Sequence, residues 1–138
     1  DVVMCMKPYV SYFGKQELHP FEEPDFRTYA GEFGSTTKRP RKLSWLDLRW
    51  LEQWTSLVRP THLVINHFDT INWFSNHDKP FYLHDKNGDA TAILQEVWKD
   101  GKITQAGSYL VDMIQDVVEA DKVYVGIGPK KEDIIECV

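Results

Sequence analysis

Three apolar runs, widely spaced along the chain, predict its principal strands. Residues 2–13 are rich in β-branched and aromatic side chains, which favour a strand, and Pro8 marks an edge or an end of it. The mostly apolar run 62–68 is typical of a short strand buried on both faces, as in a parallel sheet. Residues 122–125 predict a last strand, which leads into the sequence Gly-Ile-Gly-Pro.

Two further segments carry the spacing of amphipathic helices. Ser44, with Asp47 three residues later, resembles a capping box, so the first helix is predicted to begin at Ser44 and to end before Pro60. Thr104 is the predicted N-cap of the second helix, in which apolar residues recur at i, i+3, i+4, i+7 and i+8 from Leu110. Each helix therefore has one face suited to a hydrophobic core.

Polar segments separate these elements. Strands at 81–83 and 90–97 flank Asn87-Gly88, a pair that favours a hairpin turn. Residues 14–30 are predicted to form a long irregular connection, and residues 31–42 a second, more polar loop. The order strand, helix, strand, hairpin, helix, strand predicts an α/β architecture.

Composition supports a folded protein and excludes some classes. Of the 138 residues, 42% are hydrophobic and 13% aromatic, so disorder is not expected. A net charge of −5 disfavours a protein that coats nucleic acid, and no apolar run approaches the length of a membrane span. Neither nucleic acid nor a membrane is therefore an expected partner. Cys5 and Cys137 are too few for a zinc framework. They are predicted to be buried thiols on terminal strands in a reducing compartment, with the cytoplasm as the default.

The most basic stretch of the chain runs from Lys38 to Lys42 and follows three hydroxyl residues. A solvated loop is the usual explanation for such a run, and residue chemistry alone favours it. A nucleic-acid patch is a second interpretation, although no aromatic residue interleaves the charges. Hydroxyl and guanidinium groups also suit a small ligand that carries carboxylate or phosphate groups.

A polar group also follows the predicted strand at 62–68. An aspartate there, Asp69, can accept paired hydrogen bonds from the N1 and exocyclic amino groups of guanine. Capping of the strand end is an equally good interpretation. The His-Asp pairs that begin at His67, His77 and His84 lack the helical spacing of a metal site, so no metal is predicted in this chain.

Taken in order, these pieces resemble the adenylosuccinate synthetase family. Gly31 to Asp47, GEFGSTTKRPRKLSWLD, is similar to the family's EFG, TTTGRPRR and GWLD motifs. Met6 to Tyr9 and Phe13-Gly14 resemble its VKAY…RVG strand, and residues 63–69 stand where the family carries LTKLD. Residues 107–133 resemble its terminal helix, strand and SVGPDRE turn. The resemblance spans nearly the whole chain, and its first motif is long and specific.

The resemblance implies the C-terminal part of a P-loop-like adenylosuccinate synthetase fold with a largely parallel central sheet. Residues 1–138 would form that portion, with a substrate loop at 31–42, a base-recognition strand end at 66–69, and a helix, strand and turn at 104–133. It also implies a ligase of purine nucleotide biosynthesis. In this family a nucleoside triphosphate, with Mg²⁺, phosphorylates the 6-oxygen of a purine nucleotide, and L-aspartate then displaces the phosphate.

Roles for individual residues follow from the same resemblance. One group would grip the carboxylates of aspartate and approach the substrate nucleotide: Thr36, Thr37, Arg39, Arg41 and Phe13. A second group would recognise the base of a nucleotide such as GTP: His67, Asp69, Gly128 and Pro129. No catalytic residue and no metal ligand is expected in this portion.

Three positions depart from the family's pattern. Lys38 stands where the family has glycine, His67 where it has lysine, and Phe13 where it has valine. The changes at His67 and Phe13 resemble divergent phage members, which join aspartate to (d)GMP and so make the precursor of 2-aminoadenine. Both IMP and (d)GMP therefore stay open as the substrate, and both GTP and ATP or dATP as the phosphoryl donor.

The N-terminal half of the family has no counterpart in these residues. Its GDEGKGK phosphate loop, its catalytic Asp and His and its arginines for the IMP phosphate are missing. The chain alone is therefore expected to be inactive, to need the N-terminal portion as a partner, and to form a homodimer when complete. A non-catalytic nucleotide-binding or scaffold module derived from this fold is the alternative.

Overall fold

The computed structural model describes residues 1–14 and 19–137, which form two main β-sheets, a short hairpin and four α-helices. Two 3-10 turns, Asp69–Ile71 and Lys131–Asp133, complete the regular structure of these residues. In chain order the strands and helices are β1 (Val3–Met6), β2 (Tyr9–Tyr12), β3 (His19–Phe21), α1 (Pro24–Ala30), β4 (Lys42–Asp47), α2 (Leu48–Val58), β5 (His62–Ile65), α3 (Asn72–Asn76), β6 (Phe81–His84), β7 (Ala90–Ile93), β8 (Trp98–Lys99), β9 (Lys102–Ile103), α4 (Gln105–Val118), β10 (Lys122–Gly126) and β11 (Ile134–Glu136).

The first sheet has the order β1-β5-β10-β11, and β5 pairs in parallel with both β1 and β10. The register places Met6, Ile65 and Val125 side by side, so that the three parallel strands end at one edge. β11 adds an antiparallel strand beside β10. The α/β prediction and the buried parallel strand are both confirmed. However, β5 ends at Ile65, and Phe68 lies in the turn that follows.

The second sheet is arranged around β4, which pairs antiparallel with β2 and β3 and in parallel with β6. β6 and β7 form the predicted hairpin, in which the Asp85 carboxylate accepts hydrogen bonds from the main-chain N–H groups of Asn87 and Asp89. The second hairpin strand ends at Ile93, earlier than the predicted range. The predicted strand 2–13 is two strands of different sheets, β1 and β2, because the chain leaves the first sheet at Lys7-Pro8.

Two predictions between residues 14 and 58 are wrong. A helix does not begin at Ser44: residues 42–47 form β4, whose Leu43 and Ser44 are buried between its neighbours, and α2 begins only at Leu48. Asp47 is instead the N-cap of α2, because its carboxylate accepts a hydrogen bond from the Arg49 N–H.

The range 14–30 contains β3 and α1 rather than an irregular connection, with residues 15–18 outside the described part.

The prediction for α4 is confirmed. The Thr104 hydroxyl accepts a hydrogen bond from the Gly107 N–H, and Leu110 and Ile114 are fully buried. Gly107 lies so close to Val97 that a Cβ would stand 2.2 Å from the Val97 carbonyl oxygen, so glycine is required at this contact. Within residues 1–14 and 19–137, no helix combines the length and apolar character needed to cross a bilayer.

The two cysteines differ in exposure. Cys5 is exposed on β1, which lies at one end of the first sheet, so the prediction that it is buried is wrong. Cys137 is half-buried after β11, and burial raises the pKa of its thiol to about 11. A thiol with such a pKa is a poor nucleophile at neutral pH.

Candidate functional site

The carboxyl ends of β1, β5 and β10 border a cleft of about 1130 Å³. Ligands of open α/β sheets bind outside the carboxyl ends of the strands. Here the residues that follow the three strands supply one wall: Lys7, residues 66–70 without the buried Phe68, and residues 127–131. The second sheet and α2 supply much of the rest, including Tyr9, Val10, Ser11, Leu46, Trp50 and Leu51.

The turn after β5 is held by both neighbouring strands. Asn66 donates its main-chain N–H to the Met6 carbonyl oxygen at 2.7 Å, and Phe68 donates to the Gly126 carbonyl oxygen at 3.0 Å. Between them His67 has a φ of 57°, in the left-handed region that few non-glycine residues adopt. Such a conformation persists only where its surroundings impose it, and these positions cluster at functional sites. The imidazole therefore enters the cleft from a fixed backbone.

The turn after β10 is equally constrained. Gly128 lies against Asp133, and a Cβ at Gly128 would stand 2.4 Å from the Asp133 carboxylate. The same carboxylate accepts a hydrogen bond from the Lys130 N–H at 3.1 Å. A side chain at residue 128 would displace the Asp133 carboxylate from this hydrogen bond, and the turn brings Pro129 to the cleft.

Burial controls the charges of the two polar residues of the β5 turn. Burial, with a smaller contribution from nearby Lys7, lowers the pKa of His67, so the imidazole is neutral at neutral pH. Burial raises the pKa of Asp69, and this effect outweighs the main-chain hydrogen bonds at Asp69 and Thr70, which lower it. An ionised Asp69 is therefore poorly hydrated, and it gains from any ligand that brings N–H donors to it. Among the described residues, no cluster of three or more His, Cys, Asp or Glu is arranged to hold a metal ion.

A buried carboxylate lies where the cleft meets the basic loop. Glu32 is 2% exposed, and Lys7 Nζ donates to both of its oxygens at 2.8 Å. Arg41 approaches the same carboxylate at 3.8 Å, and its main-chain N–H donates to the Glu32 carbonyl oxygen at 3.0 Å. Among the described residues, the buried Arg41 Nε has no hydrogen-bond partner. Burial, together with Glu32, raises the pKa of the Tyr9 phenol, which therefore stays protonated.

The basic loop itself is organised around an aromatic ring. The Arg39 guanidinium lies 4.6 Å from the centre of the Phe13 ring, and that of Arg41 lies 5.8 Å from it. Phe33 and Pro40 form an isolated bridge across the loop. Contacts of cations with an aromatic face contribute more as water is excluded from them. The loop thus presents two guanidinium groups on one platform.

The structure brings some of the predicted site residues together and leaves others apart. Five of them line the cleft: Arg41, His67, Asp69, Gly128 and Pro129. Four lie outside its lining, exposed on the adjoining loop or beside it: Phe13, Thr36, Thr37 and Arg39. Their ligand-binding roles stay predictions.

Sequence reasoning missed several residues of the site. Lys7, Tyr9, Trp50, Lys130 and Lys131 line the cleft, and Glu32 lies behind it. Lys7 and Tyr9 stand in the segment that resembles VKAY, and Glu32 in the segment that resembles EFG. The position of a lysine directly after a parallel strand was the signal that could have identified Lys7.

Comparisons with known proteins agree with this architecture. No family model matches the chain. The adenylosuccinate synthetase of Symbiobacterium thermophilum is 36% identical over 51% of this chain and 17% of its own length. Those of Finegoldia magna and Thermotoga maritima are each 27% identical over 99% of this chain. The matched region is 37% of the length of the first and 38% of the length of the second. The chain therefore spans less than two fifths of the length of these relatives.

A solved structure has the same fold. The fully ligated adenylosuccinate synthetase from Plasmodium falciparum matches with a TM-score of 0.72 at 18% identity, over 96% of this chain and 39% of its own. Fold and cleft thus define an α/β protein with a polar cleft at the carboxyl ends of parallel strands. The sequence matches go further, and show that the chain is related to the adenylosuccinate synthetase family.

The desolvation of Asp69 predicts that an Asp69→Asn chain is more stable than the native one at neutral pH. Because burial raises the pKa of Asp69 in the folded state, its contribution to stability is present at low pH and is lost as the pH rises through that pKa. The amide carries no charge and escapes this loss. Thermal unfolding should give Asp69→Asn the higher midpoint at pH 7, and the difference should shrink towards about pH 3, where Asp69 is protonated.

A matched control is Asp116→Asn, which removes an exposed carboxylate paired with Lys86 at 2.8 Å. Exposed ion pairs contribute about 0–1 kcal/mol, so this variant should differ little from the native chain. A lower midpoint for Asp69→Asn than for the native chain at pH 7 would contradict the desolvation of Asp69.

Proposed function

We propose that this chain is the C-terminal, ligand-binding portion of an aspartate ligase of purine nucleotide biosynthesis. The relatives that match it carry the name of such a ligase. The observation that carries the proposal is the convergence of Asp69, His67, Gly128 and Arg41 on one cleft. The complete ligase would consist of this chain and an N-terminal portion, would be a cytoplasmic homodimer, and would use GTP, ATP or dATP with IMP or (d)GMP.

The β5 turn is the proposed reader of the purine base of the nucleoside triphosphate. Asp69 would accept hydrogen bonds from N–H groups on the base, and those bonds would compensate a charge that the fold hydrates poorly. Neutral His67 would lie against the base, and Gly128-Pro129 would close the pocket from the other side. A cleft of about 1130 Å³ has room for a nucleotide.

The basic loop is the proposed clamp for L-aspartate. Guanidinium groups pair with carboxylates through two parallel hydrogen bonds, and both Arg39 and Arg41 lie within 6 Å of the centre of the Phe13 ring. Thr36 and Thr37 add hydroxyl donors from the exposed turn of the same loop. Arg41 belongs to both the loop and the cleft, so it would join the amino acid to the nucleotide site.

In the proposed reaction the γ-phosphoryl group moves to the 6-oxygen of the purine nucleotide, and the aspartate amine then adds as phosphate leaves. Mg²⁺ would be bound by the triphosphate and by the N-terminal portion, since the described residues hold no cluster of three or more metal-ligating side chains. The part of this chain is to bind and orient. Its arginines would hold the aspartate carboxylates, so that the amine faces the activated carbon.

Arg39→Ala in the complete ligase should raise the KM for aspartate by about tenfold or more, or abolish turnover, because a charged hydrogen-bond partner of the substrate is lost. Steady-state kinetics with aspartate as the varied substrate measure this. Arg59→Ala, an exposed arginine at the end of α2, is the control and should leave the aspartate KM unchanged. Unchanged aspartate kinetics in Arg39→Ala would refute the clamp.

Asp69→Asn should weaken the binding of the preferred nucleoside triphosphate, and most strongly if that nucleotide is GTP. The reason is that the amide offers a donor where the guanine N1–H needs an acceptor. Isothermal titration of the complete ligase with GTP, ATP, IMP, GMP and dGMP in turn measures each affinity and identifies the substrate. A changed donor preference with no loss of affinity would argue against base recognition by Asp69. Nucleotide binding without aspartate-dependent phosphate release would favour the non-catalytic module.

A further inference from the structure

Lys7 and Arg41 approach the same buried carboxylate, and they do so unequally. Lys7 Nζ lies 2.8 Å from each oxygen of Glu32, whereas the nearest Arg41 nitrogen lies 3.8 Å from Oε1. The first distance is that of a charge-assisted hydrogen bond, and the second is too long for any hydrogen bond. Lys7 is therefore the hydrogen-bonded counter-ion of Glu32, whereas Arg41 forms only a longer ion pair with it.

This inequality leaves Arg41 with a longer and weaker ion pair to Glu32 than the one that Lys7 forms. Its Nε is buried and has no hydrogen-bond partner among the described residues, and its guanidinium carbon lies 5.8 Å from the centre of the Phe13 ring. A buried carboxylate that loses its counter-ion is strongly unfavourable, so it draws in the nearest available cation. Without Lys7, that cation is Arg41, whose main chain is already bonded to Glu32.

We propose that Lys7 is a positioning residue, which keeps Arg41 available to an anionic ligand by occupying both oxygens of Glu32. The inference rests on the proposed function, in which Arg41 binds a carboxylate of aspartate. Lys7 also lines the cleft, so a direct contact between Lys7 and the ligand is the competing explanation. The two explanations differ in the part played by Glu32. It competes for Arg41 in the first and has no such effect in the second.

Three variants of the complete ligase separate these explanations: Lys7→Gln, Glu32→Gln and the double variant. The readout is the affinity for L-aspartate, measured by isothermal titration with nucleotide bound. Lys7→Gln should weaken binding by about tenfold, because Arg41 closes onto the uncompensated Glu32. The double variant should restore binding to within about threefold of native, since the competitor has gone. The Glu32→Gln variant should bind L-aspartate at least as tightly as the native protein does.

A double variant as weak as Lys7→Gln would show a direct contact and overturn the proposal, as would native affinity in Lys7→Gln. If Lys7→Gln does not fold, as judged by circular dichroism, the double variant is compared with Glu32→Gln instead. Equal affinities for L-aspartate support the proposal, and a double variant about tenfold weaker than Glu32→Gln would show a direct contact. Arg41→Ala tests the proposed function separately, because native affinity there would remove the aspartate role of Arg41. Lys79→Gln is the matched control, as it breaks a 2.8 Å pair with Glu23 away from the cleft, and should bind as native.

Discussion

The parallel pairing of β5 with β1 and β10 fixes the positions of three separate chain segments at once. Met6, Ile65 and Val125 stand side by side in the register, and Ile65 and Val125 are fully buried. A slip of one residue would turn the buried side chains of β5 to the opposite faces, so the core enforces this register. The segments that follow the strands must then meet at one edge, where the cleft lies.

The backbone of the cleft is correspondingly rigid. The turn after β5 bonds to β1 and β10, and the turn after β10 is folded against Asp133, whose carboxylate a side chain at residue 128 would displace. A strained φ at His67 and a desolvated carboxylate at Asp69 are both costs in free energy. The structure tolerates them at the one edge where a ligand can offset them, which is the pattern of a binding site rather than of a structural turn.

A second level of organisation comes from a single buried charge. Glu32 lies at the base of the basic loop and holds Lys7, which follows β1, and it closes the loop through its carbonyl oxygen and Arg41. The loop is therefore tied to the strand ends by hydrogen bonds as well as by the chain. This tie explains why Arg41 alone among the predicted loop residues reaches the cleft.

Local signals in the sequence predicted the elements that local interactions decide. The hairpin at Asn87-Gly88 and the cap of α4 at Thr104 depend on residues within a few positions of each other, and both are confirmed. Ser44 and Asp47 have the spacing of a capping box, although the same residue types also occur in strands. Here the pairing of β4 with three distant strands makes residues 42–47 a strand.

The same distinction holds at the site. The resemblance and the parallel strand pointed to His67, Asp69 and the glycine turn, which the sheet brings together. The contact between Lys7 and Glu32 joins residues 25 positions apart and depends on how two sheets meet, so no sequence pattern revealed it.

The most direct test of the cleft as the nucleotide site is an amide NMR titration of the complete ligase, with the nitrogen-15 label confined to this chain. On addition of its preferred nucleoside triphosphate, the largest shifts should fall on Lys7, on residues 66–70 and on residues 127–131. A smaller cavity of about 340 Å³ lies away from these residues and is lined in part by Ser75, Gln95 and Gln105. Shifts confined to that cavity, with none at the three strand ends, would contradict the central claim.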